Sequence, residues 1–230
     1  MRAELGDPIV VRTYEGDVGQ TRQIVGPVLI WLLVAATIGA LTDVPSWSAN
    51  FAEALAVDPW LEVGQIGSPV VMILLALIYL GALLRTWTRQ ESLPFIRLLY
   101  GAGTTVVVTL VCFMLQTTYG KPRPCQVLEL GGSCPPDTNF SYPSTYAVVA
   151  FALAVSIAYA TPWLSYLAFP LALLEGLASI MAGEQYPHDV LVGAVLGALG
   201  GIGLLHMFSK VQASMAEKLT ARKSANHNAS

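Results

Sequence analysis

Long apolar stretches separated by short polar ones dominate the pattern along the chain. Six of them, at 24–41, 69–87, 95–117, 145–160, 163–181 and 190–208, carry almost no charge. A helix needs about 20 apolar residues to cross the hydrocarbon core of a bilayer. The fourth stretch has 16 and is the short one, but Pro143 and Ser144 can extend its start, because proline suits the first turn of a helix. Strict apolar–polar alternation is absent, which excludes a barrel. Helices are then the spanning form that satisfies its own backbone in lipid. The expected fold class is all-α, a bundle of six transmembrane helices.

Composition agrees with that pattern. Of 230 residues, 54% are apolar or aromatic and 12% are charged, against about a quarter charged in a soluble domain. A soluble globule of this size needs more polar surface. A formal net charge of -3 excludes a strongly basic nucleic-acid binder, and 3 cysteines are too few for a disulfide scaffold. The segment before the first stretch contains Glu4, Asp7, Glu15 and Asp17, whereas a cleavable signal begins with a short basic region. The first span is expected to be retained.

Charge also sets an orientation. Arg2, Arg12, Arg22, Arg85, Arg89, Arg97, Lys210, Lys218, Arg222 and Lys223 fall on one side of the six spans, and Lys121 and Arg123 on the other. The positive-inside rule places both termini in the cytoplasm. The chain then reads as a cytoplasmic segment 1–23, a membrane domain 24–208 and a cytoplasmic tail 209–230, integral to the plasma membrane. The tail is helix-prone to Lys223, and 224–230 are expected to be disordered. In the outward loop 43–68, Trp47, Phe51, Trp60 and Leu61 suit the headgroup level, and 48–57 suits a short interfacial helix.

Polar chemistry collects at the outward ends of spans three to six. One group runs Tyr119-Gly120-Lys121-Pro122-Arg123-Pro124, then Tyr142-Pro143-Ser144-Thr145-Tyr146. The other is Gly183-Glu184-Gln185-Tyr186-Pro187-His188-Asp189. With six spans, this arrangement resembles the type 2 phosphatidic acid phosphatase superfamily, which includes vanadium haloperoxidases. Its membrane members carry three motifs at these places: Lys, six residues, Arg-Pro; then Pro-Ser-Gly-His; then Ser-Arg, five residues, His, three residues, Asp.

The residues depart from that pattern. Arg123-Pro124 stands, but Gln116 holds the lysine position. Pro143-Ser144 stands, but Thr145 and Tyr146 replace glycine and histidine. In the third motif Ala178-Ser179 replaces Ser-Arg, Gln185 replaces histidine, and Asp189 is retained, followed by Val190-Leu191-Val192-Gly193. The resemblance implies a phospho-histidine at the third-motif position and a leaving-group acid at the second. An amide at Gln185 has no nucleophilic lone pair on nitrogen. A phenol at Tyr146, with a reference pKa near 10, is a weak replacement for an imidazole near 6.5. The cationic clamp falls to Arg123, with Lys121 close by, while Glu184 and Asp189 add negative charge.

His188 is the candidate substitute nucleophile. Its alternative reading is an exposed histidine at a helix start, because adjacent helical residues point about 100° apart and Asp189 would not orient it. Gln185 and Asp189, four apart, are expected to hydrogen-bond as a strut, and Arg123 to pair with Asp189 or Glu184. The helix start at Ser144 can offer backbone N–H groups to an anion. Glu175 lies deep in span five, where an ionisable group hints at function. Cys125 and Cys134 share an outward loop and are expected to be joined, the alternative being two free thiols; Cys112 is a small core residue. Gly193, Gly197 and Gly201 form a small face on span six.

The functional expectation is a catalytically degenerate member of that superfamily, with no confident catalytic residue, no cofactor and no metal site. By elimination it is an accessory or structural subunit of a larger membrane complex, with membrane lipids and other membrane-protein subunits as partners and no nucleic acid. The alternatives are a divergent lipid- or polyprenyl-phosphate phosphatase using His188, and a non-catalytic binder of a lipid phosphate.

Overall fold

A computed structural model describes residues 44–128, 133–136 and 138–228. The expected first span and the segment before it lie outside the described residues. The regular elements among the described residues are all helical, without strands: α1 (Ser46–Leu55), α2 (Trp60–Thr88), α3 (Ser92–Tyr119), α4 (Pro124–Val127), α5 (Thr145–Ala160), a 3-10 turn (Pro162–Leu164), α6 (Ser165–Met181) and α7 (Pro187–Asn228).

Among the described residues, four segments are long and apolar enough to cross a membrane: Trp60–Thr88, Ser92–Val127, Pro162–Met181 and Pro187–Met207. The fifth, α5, has 16 residues, about 24 Å of helix. It packs against α3, α6 and α7 and forms the centre of the bundle. Ala147, Ala150, Ala152 and Ala154 are fully buried along it, so its neighbours approach closely on every side. Large side chains point outward instead: Ile73, Leu77, Leu84, Val106, Leu110, Met114 and Leu173 are all more than half exposed. That inside-out distribution suits lipid as the surrounding solvent.

Glycine sets the tightest contact. A Cβ on Gly197 would sit 2.3 Å from the carbonyl oxygen of Val148, and one on Gly193 2.5 Å from that of Ser144. The small face of α7 is therefore used inside the chain, backbone against backbone with α5. Pro69 and Pro170 lie inside α2 and α6, where neighbouring helices tolerate them.

Two expectations about boundaries change. Much of the loop 43–68 is helical: α1 falls near the expected interfacial helix, and α2 begins at Trp60. At the other end α7 continues to Asn228, past Lys223. After Gly203 nothing in the sequence stops a helix: there is no further glycine or proline, and Ala, Lys, Glu, Gln and Met are strong helix formers.

Candidate functional site

The three motif segments converge at one end of the bundle. α3 ends on Gly120, whose left-handed backbone (φ 57°) turns the chain out of the helix. Four residues later α4 begins, with Pro124 at its first position and Arg123 before it. The Cys125 amide donates to the Gly183 carbonyl at 2.9 Å, tying α4 to the turn between α6 and α7. The Ser144 amide donates to the Asp189 carbonyl at 3.1 Å, tying the start of α5 to the first turn of α7. Cys125 and Cys134 are joined in a disulfide.

Gln116, at the lysine position, is buried and works as a structural tie. Its amide nitrogen donates to the Pro143 carbonyl at 2.8 Å and the Thr145 hydroxyl at 2.9 Å. It thereby pins the segment that opens α5. Ser179, at the arginine position, is also fully buried, and its hydroxyl turns back to the Gly176 carbonyl at 2.9 Å.

Arg123 is 2% exposed and surrounded by acceptors from its own chain. Nε donates to Asn139 O at 2.9 Å and Nη2 to Asn139 Oδ1 at 3.0 Å. Nη1 donates to Glu184 O at 3.2 Å and to Glu184 Oε2 at 3.0 Å. Of the two expected carboxylate partners, Glu184 is the one that pairs. The Tyr146 phenol lies within electrostatic reach of both Glu184 and Arg123.

Gln185 does not form the expected strut to Asp189. α7 starts at Pro187, so Gln185 precedes the helix and helical i, i+4 geometry does not apply. With its amide oriented so that the oxygen faces Arg123, the fully buried Gln185 accepts from Arg123 Nη1 at 3.2 Å and donates to Ser141 O at 2.7 Å. Asp189 instead accepts a short hydrogen bond from the Ser141 hydroxyl. In the first turn of α7 its carboxylate also faces the positive end of the helix dipole.

His188 is 8% exposed, not the exposed histidine of the alternative reading. α1 covers it: Ser48 Oγ lies 2.9 Å from Nδ1. Nε2 comes within 2.9 Å of Asp189 Oδ1, yet neither atom has an aligned hydrogen-bond partner. This is the geometry expected of adjacent residues on one helix. Tyr142 and Tyr186 flank the ring at 6.2 and 5.7 Å between centroids. Burial, and then the Asp189 carboxylate, push both phenols above their ordinary pKa, so they stay protonated. Lys121 Nζ lies 4.6 Å from the centre of the Tyr142 ring.

At the start of α5, two of the N–H groups that an anion would use are taken. Ser144 N serves Asp189, and Ala147 N donates to Ser144 Oγ at 3.3 Å. One turn into the membrane from Ser179, the fully buried Glu175 accepts from Ser68 Oγ at 2.6 Å, and its second oxygen has no partner. It lies within electrostatic reach of Tyr146 and Glu184.

Sequence reasoning missed Asn139, Ser141 and Ser48. Ser141 adjoins the Pro143-Ser144 motif, and that adjacency was a usable signal. Nothing local marks Asn139 or Ser48, whose roles depend on contacts 16 and 140 residues away.

The family model described as the PAP2 superfamily matches residues 95–213. Among solved structures, the chain is similar to a transmembrane PAP2-type phosphatidylglycerolphosphate phosphatase from Bacillus subtilis. The TM-score is 0.61 at 20% identity, over 81% of this chain and 96% of that one. Comparison with curated proteins finds no match.

Proposed function

Because this chain belongs to the PAP2 superfamily, we propose that it is a non-hydrolytic member, one that keeps the membrane fold and serves as an accessory subunit of a larger membrane assembly. The observation that carries this reading is the state of Arg123. Its guanidinium is buried and spent on Asn139 and Glu184, so a phosphate arriving there would compete with an internal carboxylate. Covalent phosphoryl transfer also needs a nucleophile and a proton donor. The positions that would supply them are Gln185 and Tyr146, and the clamp positions hold Gln116 and Ser179. Gln116 and Gln185 act within the chain as ties, and the Ser179 hydroxyl is spent on its own helix. The subunit role follows by elimination: fold and packing are kept while the chemistry is dispersed.

One observation favours a second reading. His188 Nε2 stands 2.9 Å from Asp189 Oδ1, which is imidazole and carboxylate at close range. In that reading the chain is a divergent lipid-phosphate phosphatase, and the phosphatidylglycerolphosphate phosphatase of similar fold suggests the substrate class. A non-catalytic binder of a lipid phosphate is the third reading. In all three the motif end of the bundle faces out of the cytoplasm across the plasma membrane, on the charge asymmetry of the loops.

The deciding experiment is gentle purification from native membranes, mass spectrometry of what co-purifies, and a phosphatase assay on the same sample. Stoichiometric partner subunits without phosphate release support the accessory role. A monodisperse monomer that releases phosphate from phosphatidic acid or polyprenyl phosphate overturns it.

A further inference from the structure

We propose that α1 is a strap that seals Nδ1 of His188, and that lifting it turns His188 into an accessible imidazole. This goes beyond the accessory reading, because it assigns a conditional site to a residue outside the superfamily motifs.

The strap has two faces. Ser48 and Ala52, one helical turn apart, are fully buried, while Trp47 and Phe51 are 53% and 48% exposed. Leu55 packs against Ala147, Ile180 and Val190. A helix of 10 residues is too short to be stable by itself in water, so α1 keeps its form through what it touches on each side. The outer aromatics suit the headgroup layer of a bilayer, and the membrane surface is the partner assigned to that face. Residues 56–59 leave the helix before α2 begins, which separates α1 from the rigid bundle.

The hydrogen bonds fix which nitrogen is sealed. Ser48 Oγ accepts from the His188 backbone N–H at 3.3 Å and lies 2.9 Å from His188 Nδ1. The hydroxyl has one hydrogen and two lone pairs, so it engages Nδ1 in either tautomer while accepting from the amide. Nδ1 is thus the nitrogen that Ser48 covers, while Nε2 stands 2.9 Å from Asp189 Oδ1 without an aligned hydrogen bond. Ser48, His188 and Asp189 meet here, without an aligned histidine–aspartate hydrogen bond. Ser48 is fully buried, and its oxygen is occupied by the amide. It blocks Nδ1 and is not a nucleophile. Moving α1 removes the block and leaves the Asp189 side of the ring as it was.

The test uses the full-length protein in lipid nanodiscs, treated with diethyl pyrocarbonate and read by mass spectrometry at His188, with His206 as the internal standard. In the wild type His188 reacts slowly. Ser48→Ala raises its rate about tenfold, the scale of one net hydrogen bond, and leaves His206 unchanged. Trp47→Ala/Phe51→Ala keeps the Ser48 hydroxyl and removes the outer hold. It raises His188 reactivity and the hydrogen exchange of the α1 amides together, while α5 and α6 amides stay protected and report intact folding. Equal His188 rates in wild type and Ser48→Ala overturn the proposal. So does unchanged α1 exchange and His188 reactivity in the double variant.

Discussion

Glu184 holds Arg123 with both its main chain and its side chain: Nη1 lies 3.2 Å from the Glu184 carbonyl and 3.0 Å from Oε2. The guanidinium that would meet a phosphate is thus neutralised by the residue next to Gln185. Between Arg123 and Asp189 runs a chain of contacts through Gln185 and Ser141, so the motif end is one connected polar network in which Asp189 Oδ1 lacks an aligned partner.

Arg123→Ala should destabilise the fold, because it removes a buried guanidinium and leaves the partly buried Glu184 carboxylate without its donor. Breaking a buried pair from one side costs about 3–5 kcal/mol, and the partial exposure of Glu184 places the expected loss toward about 2–3 kcal/mol. Thermal unfolding in one detergent checks it. Arg123→Ala combined with Glu184→Ala should recover part of the loss, since the orphaned carboxylate is then gone. A double variant less stable than the additive sum would contradict the pairing.

Restoring histidine at Gln185 and Tyr146 together should not restore family-like hydrolysis. Gln116 and Ser179 still lack the cationic clamp, and Glu184 still occupies Arg123. Electrostatic stabilisation of the transferring group is commonly the largest catalytic contribution. Turnover of phosphatidic acid by the purified Gln185→His/Tyr146→His variant is the measurement. A rate of about one per second or more, ordinary for enzymes, would show that the remaining groups suffice.

Gly197→Ala should destabilise the bundle, while Gly203→Ala should not. An added Cβ at 197 would lie 2.3 Å from a backbone oxygen of α5, whereas at 203 nothing lies within 4 Å. Relieving the clash must move one helix against another, at a cost of about 1–3 kcal/mol. The unfolding temperatures of the two variants, measured side by side, give the contrast. Equal values would mean that α5 and α7 are less closely apposed.

The loop between α3 and α5 should face out of the cytoplasm. Thr138→Cys places a thiol at an exposed position of that loop, and a membrane-impermeant maleimide should label it in whole cells. Labelling only after permeabilisation would reverse the orientation and move the whole motif end to the cytoplasmic side.

The spans were legible because lipid imposes a local requirement: an apolar run of a certain length, with the backbone satisfied inside the segment. Hence 145–160 was read from composition with the same ends as α5. The motif positions were legible because their spacing is local. The partners were not. Whether Arg123 pairs with Glu184 or Asp189, whether Gln185 reaches Asp189, and whether His188 is open to solvent all depend on where separate helices bring their ends. Ser48 and His188 are 140 residues apart, and no periodicity or spacing encodes that contact. Sequence alone determined an all-helical membrane bundle and the polar segments that meet at one end of it. Only the tertiary packing decided that those segments are tied to one another and that His188 lies beneath α1. Hydrogen-bond satisfaction in a buried site is a property of the assembled neighbours and not of any one segment.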